Sequence, residues 1–136
     1  MTKINEKAEE IKKYLSELED ILPDKFEQYK SNNLVKAGCE RYFEKIVEGI
    51  TDIAFMIIKL KKFNIPEDDI DSFRILKDNK ILKEELFKKL KQAKGMRNFI
   101  AHQYGDIDDK KVFNAVSNEL IVDTNNFIKE VKKCLK

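Results

Sequence analysis

Between Asn33 and Lys62 the chain places Val35, Cys39, Tyr42, Ile46, Ile50, Ile53, Ile57 and Leu60 at steps of three and four, with no proline among them. That spacing gathers side chains on one face of an α-helix. A helix so long with so broad an apolar stripe cannot sit alone in water, so other elements must cover it. The pattern recurs elsewhere. Ile4, Ala8, Ile11, Leu15, Leu18 and Leu22 form a stripe on a first helix capped by Thr2. Val112, Val116, Leu120, Phe127, Val131 and Leu135 form another on a last helix starting near Asp108 or Asp109.

The breaks between these runs are few. Pro23-Asp24 ends the first helix, and Phe26 and Tyr29 fall in a short helical or irregular link. Ser31-Asn32-Asn33 offers a cap for the long helix. Asn64-Ile65-Pro66-Glu67-Asp68-Asp69 leads into a short helix whose first turn is acidic, with Phe73, Ile75 and Leu76 as its core contacts. After Lys77-Asp78-Asn79, a further long helix is predicted from about Lys80 to Gln103. No Asn-Gly or similar hairpin signal appears, and the Leu120–Thr124 cluster of β-branched residues lies inside helical periodicity. The expectation is one all-α domain over residues 1–136, an antiparallel bundle of four long helices and one short one.

Lys and Arg number 27 against 25 Asp and Glu, a net charge of +2. A nonspecific nucleic-acid binder carries a stronger basic bias, so any RNA contact has to come from a local patch. The two cysteines, Cys39 and Cys134, lie on different predicted helices. With no signal peptide and no apolar run of membrane length, they read as core thiols of a reduced, cytoplasmic protein. Two distant cysteines and one histidine assemble no metal site.

The candidate chemistry sits on the fourth long helix. At ~100° per residue, Leu82, Leu86, Leu90, Ala93 and Ile100 share a stripe, and Arg97 and Tyr104 fall on it too. An arginine at a core position needs a carboxylate opposite it or a task. Arg41, Glu44, Glu48 and Asp52 form a polar strip on the long helix. Spacing leaves Glu44, Glu48 and Asp52 all open as bidentate partners for Arg97. His102, the only histidine, follows Arg97 by five residues, just before Gly105.

Read singly, each residue has an ordinary explanation: a histidine as cap or packing group, an arginine as a structural ion-pair arm, a tyrosine as a half-buried ring. Together they suit RNA cleavage without a metal. An imidazole moves the proton of a ribose 2′-OH or of the leaving 5′-oxygen. A guanidinium holds the phosphate and balances its developing charge. On a regular helix Arg97 and His102 stand ~140° apart. The helix therefore loosens before His102, or a two-fold partner completes the pocket. Asn98, four residues before His102, could orient its ring.

Gly95-Met96-Arg97-Asn98-Phe99-Ile100-Ala101-His102-Gln103-Tyr104 resembles the R-x4-H-x-Y signature of the HEPN superfamily, in particular of the HepT toxins. The order of helices is similar over essentially the whole chain. The resemblance implies a HEPN-like bundle and a homodimeric ribonuclease toxin of a type II toxin–antitoxin pair, with Arg97 and His102 catalytic and no cofactor. It implies as partner an MntA-like nucleotidyltransferase that silences the toxin by adenylylating Tyr104. The added phosphate would bring negative charge and bulk beside Arg97. Glu48, Asp52 and Asn98 are expected as supporting groups. Two other readings stand beside it. One is a noncatalytic companion of a nucleotidyltransferase, binding nucleotide through Arg97 and Lys94; the other is a structural dimer module in which Arg97 pairs with Asp52 or Glu48.

Overall fold

The computed structural model describes residues 2–102 and 108–136. Among them there is no strand, and the helices form a bundle. Helix α1 (Thr2–Ile21) buries Ile4, Ala8, Ile11, Leu15 and Leu18, the stripe its spacing predicts. Thr2 is its first helical residue rather than its cap. A short α2 (Phe26–Lys30) follows and buries Tyr29 completely.

The long helix α3 (Asn33–Lys61) is the centre of the molecule. Its N-terminus is capped as expected: Asn32 Oδ1 accepts from Val35 N at 3.1 Å. Beyond the predicted stripe it also buries Phe43, Val47, Ala54 and Ile58. Helices pack on more than one side of it: α1, then α4 (Asp69–Asp78) and α5 (Glu84–His102), and the C-terminal helices. Leu60 departs from the expectation and stays 46% exposed, on the open side of a turn whose Ile57 and Ile58 are buried. At Gly49 a Cβ would meet Ile11 Cγ1 at 2.7 Å, so α1 and α3 cross there at a distance only glycine allows.

Helix α4 (Asp69–Asp78) is capped by Asp68, whose side chain accepts from Asp71 N. It ends with Lys80 at φ 65°, in the left-handed region, while Lys80 N and Ile81 N bond back to the carbonyls of Lys77 and Leu76. This is a Schellman stop with lysine where glycine is usual. It corrects the predicted start of the next helix. A residue with positive φ cannot open a helix, so α5 runs Glu84–His102, and Leu82 packs into the core from the preceding loop.

The last helical run has three parts: α6 (Asp109–Asn114), a π-helical stretch (Ala115–Leu120) and α7 (Ile121–Cys134). Val112, Val116, Leu120, Thr124 and Ile128 are all buried at steps of four. On a pure α-helix each such step drifts by ~40°. The wider π turn takes up that drift and holds the line against α3 and α5.

Candidate functional site

Three elements meet at Arg97. Helix α5 carries it among Leu86, Leu90 and Ile100, α3 faces it with Glu48, and the start of α4 supplies Asp68 and Asp69. One guanidinium nitrogen of Arg97, Nη2, donates to Glu48 Oε1 in a close ion pair. The other, Nη1, donates to Asn98 Oδ1 at 3.3 Å, and Nε is buried with no hydrogen-bond partner among the described residues. The contact with Glu48 is through one oxygen rather than the bidentate fork expected. The Arg97 side chain keeps 21% of its surface exposed, so the group is held but reachable.

The choice among the three acids follows from who claims the others. Asp52, expected as a possible partner of Arg97, instead pairs with Lys7 of α1 at 3.5 Å. It lies one turn beyond Glu48, on the side where α1 crosses. Glu44 sits 3.8 Å from Arg41 on its own helix. Glu48 is left at the level of Arg97.

Beside Arg97 on α5, Lys94 is buried to 7% exposure and its Nζ lies 2.6 Å from Asp69 Oδ2. A lysine this buried requires such a partner. Asp68, Asp69, Ile70, Lys94, Arg97 and Asn98 line an open cleft of about 340 Å³. The Asp69 contact went unread in the sequence. Its signal was the Asp68-Asp69 pair at the predicted start of the short helix, but nothing in spacing brings that turn to Lys94.

His102 is exposed, at the end of the described part of α5. The helix remains regular through it, so the expected loosening before His102 does not occur. Arg97 and His102 therefore leave α5 on different faces of one protomer. Tyr104 lies outside the described residues. On the other flank of α5, a second cleft of about 360 Å³ is lined by Gln92, Met96, Phe99, Asp108, Lys111 and Val112. A smaller cavity of about 120 Å³, with Phe43, Ile50, Leu90 and Leu120 on one side and Lys89, Glu119 and Asp123 on the other, touches neither Arg97 nor His102. Among the described residues no group of three or more His, Cys, Asp or Glu is placed to hold a metal, and no helix is long and apolar enough to cross a membrane.

Residues 11–131 match the family model described as ribonuclease HepT-like. A "tRNA nuclease HepT" of Aphanizomenon flos-aquae is 30% identical over 84% of this chain and 78% of its own. An "mRNA nuclease HepT" of Shewanella oneidensis is 26% identical over 90% of each. The tri-AMPylated Shewanella oneidensis HEPN toxin, solved in complex with an MNT antitoxin, superposes with a TM-score of 0.90 at 26% identity, covering 96% of both chains. A toxin–antitoxin structure with AMP-PNP gives 0.89 at 25% identity, covering 96% of this chain and 97% of the other. A bundle of this shape, matched by the family model over all but its ends, belongs to the ribonuclease HepT-like family of HEPN proteins.

Proposed function

We propose that this protein is the endoribonuclease toxin of a toxin–antitoxin pair, and that Arg97 and His102 carry its chemistry. The observation behind this is the placement of Arg97: a guanidinium fixed by Glu48 and Asn98 at the edge of an open cleft, with an exposed imidazole later on the same helix. The ribose 2′-OH is the nucleophile. His102 takes its proton or returns one to the leaving 5′-oxygen, and Arg97 holds the phosphate as charge builds on its oxygens. The reaction leaves a 2′,3′-cyclic phosphate and a 5′-hydroxyl. DNA, lacking the 2′-OH, is inert.

The two groups leave α5 on different faces, so a homodimer related by a two-fold axis supplies the rest of the pocket, giving each site a base and an acid of one residue type. The antitoxin is a nucleotidyltransferase that transfers AMP to Tyr104. The relatives solved with an MNT antitoxin and in the AMPylated state support this assignment. Asn98 and Glu48 are positioning residues for Arg97; Asp52 is not.

The test is cleavage of RNA by purified protein beside His102→Ala and Arg97→Ala. Loss of two or more decades of kcat in each variant, with melting temperatures within a few degrees of wild type, is expected. Equal cleavage by wild type and His102→Ala refutes the assignment. Incubation with the cognate transferase and ATP should add AMP mass to the wild type and none to Tyr104→Phe.

A structural role for Arg97 is the competing reading with an observation behind it, the pair with Glu48. Strong stability coupling between the two in a double-mutant cycle, with activity intact, would favour it. The nucleotide-binding companion is less well supported. Lys94, which would hold a nucleotide phosphate, is already engaged by Asp69.

A further inference from the structure

We propose that the apolar cleft beside Phe99 seats one nucleobase of the RNA, next to the phosphodiester that is cut. This rests on the ribonuclease reading and names what recognises the strand. Phe99 is only half-buried and makes no ring contact with another described residue. It lines the cleft with Met96 and Val112, together with Gln92, Lys111 and Asp108, whose carboxylate is taken up in capping α6. An aromatic face beside a thioether and a valine suits a flat, weakly polar ring system. The amide of Gln92 and the ammonium of Lys111 suit the base edge and the backbone charge.

Placement on α5 ties this cleft to the chemistry. Arg97 lies on the helix flank that faces α3 and α4, with Lys94 and Asn98 beside it; Phe99 and Met96 lie on the opposite flank. At ~100° per residue His102 falls between Asn98 and Phe99, and residues three apart on a helix have Cβ atoms about 5–6 Å apart. A phosphate presented to His102 thus has a polar cleft on one side and an aromatic one on the other. Single-stranded RNA is held in this way, by cations on its backbone and rings under its bases.

A second copy of the chain is the other occupant to weigh. Six described residues line the cleft, whereas a stable interface takes about 20–30 residues a side. The strongly exposed apolar residues Leu34, Ile65 and Val122 lie on other elements and do not extend the patch.

The experiment uses full-length protein and an oligoribonucleotide in which each nucleotide flanking the cut is replaced in turn by an abasic ribose that keeps its 2′-OH. Wild type should lose about tenfold in kcat/KM, chiefly through KM, at one flanking position, the low-to-middle range for base–aromatic stacking. Phe99→Leu should lose the same on intact RNA and nothing further on the abasic strand; Phe99→Tyr should cleave as wild type. Indifference of the wild type to both abasic positions, or full activity of Phe99→Leu, overturns the proposal. So does a shift of Phe99→Leu from dimer to monomer in sedimentation, which would assign the face to a second copy. A 2-aminopurine oligonucleotide reads stacking without cleavage: quenching by the wild type, lost in Phe99→Leu, supports the base seat even if no RNA is cut. Absence of quenching overturns it, while absence of cleavage alone sinks only the ribonuclease reading.

Discussion

Arg97 shows how a single side chain can announce a site that its own helix cannot complete. Its position on the buried stripe of α5 was enough to demand a carboxylate. Helical spacing put Glu44, Glu48 and Asp52 on one strip and could go no further. The decision came from cations elsewhere: Lys7 of α1 takes Asp52, and Arg41 takes Glu44. Tertiary neighbours of that kind are invisible to periodicity. Glu48 is 42% exposed, so the pair contributes about 1 kcal/mol at most to stability. On the proposed chemistry its effect on the reaction is larger, because a misplaced phosphate-binding group costs about 10²-fold. Glu48→Gln is expected to melt within a few degrees of wild type and to cleave RNA roughly a hundredfold more slowly. Asp52→Asn should leave kcat unchanged, and steady-state kinetics on one oligoribonucleotide checks both.

Asp123 offers a pH prediction of its own. Burial, opposed by Lys89 and aided by Glu119, raises its pKa above the ordinary carboxylate value. A carboxyl whose folded pKa is raised lends stability while protonated and loses it as pH rises through the raised value. Asp123→Asn should therefore be more stable than wild type near neutrality, with the gap closing as pH falls through the carboxylate range. Denaturant titrations at several pH values measure it. A gap that widens on acidification contradicts the assignment.

At the scale of elements, most helices and the Asn32 cap were legible because apolar spacing and capping chemistry are local. The failures were local too. Lys80 ends α4 in a left-handed conformation with no glycine to signal it, and the π-helical stretch absorbs a drift that reads on paper as one uninterrupted helix. The crossing of α1 and α3 makes a direct test. Gly49→Ala pushes a Cβ into Ile11, and overpacking of this kind costs about 1–3 kcal/mol. Gly95 sits on α5 with nothing within 4 Å of where its Cβ would be. Gly95→Ala is expected to stabilise the protein by about 0.5–1 kcal/mol through helix propensity alone. Chemical denaturation of the two variants should move in opposite directions.

For the whole molecule, the bundle and its family membership followed from the distribution of apolar residues and the Arg97-to-Tyr104 string. The proposed sharing of one pocket by two protomers did not, because helix geometry only shows that Arg97 and His102 leave α5 on different faces. A shared site makes a quantitative prediction. Wild type and His102→Ala, mixed in equal parts, unfolded and refolded together, pair at random into one dimer in four that carries both imidazoles, so about a quarter of the activity of the same number of wild-type dimers is expected. About half would mean that each site draws its residues from one chain.

The central claim is that an imidazole and a guanidinium on α5 cut RNA through its own 2′-hydroxyl. It is tested most directly by mass spectrometry of products from an oligoribonucleotide carrying a single 2′-deoxy sugar on the 5′ side of the cut. The account predicts a 2′,3′-cyclic phosphate end on the unmodified strand and no cleavage at the deoxy position. Cleavage that proceeds at the deoxy position would contradict it.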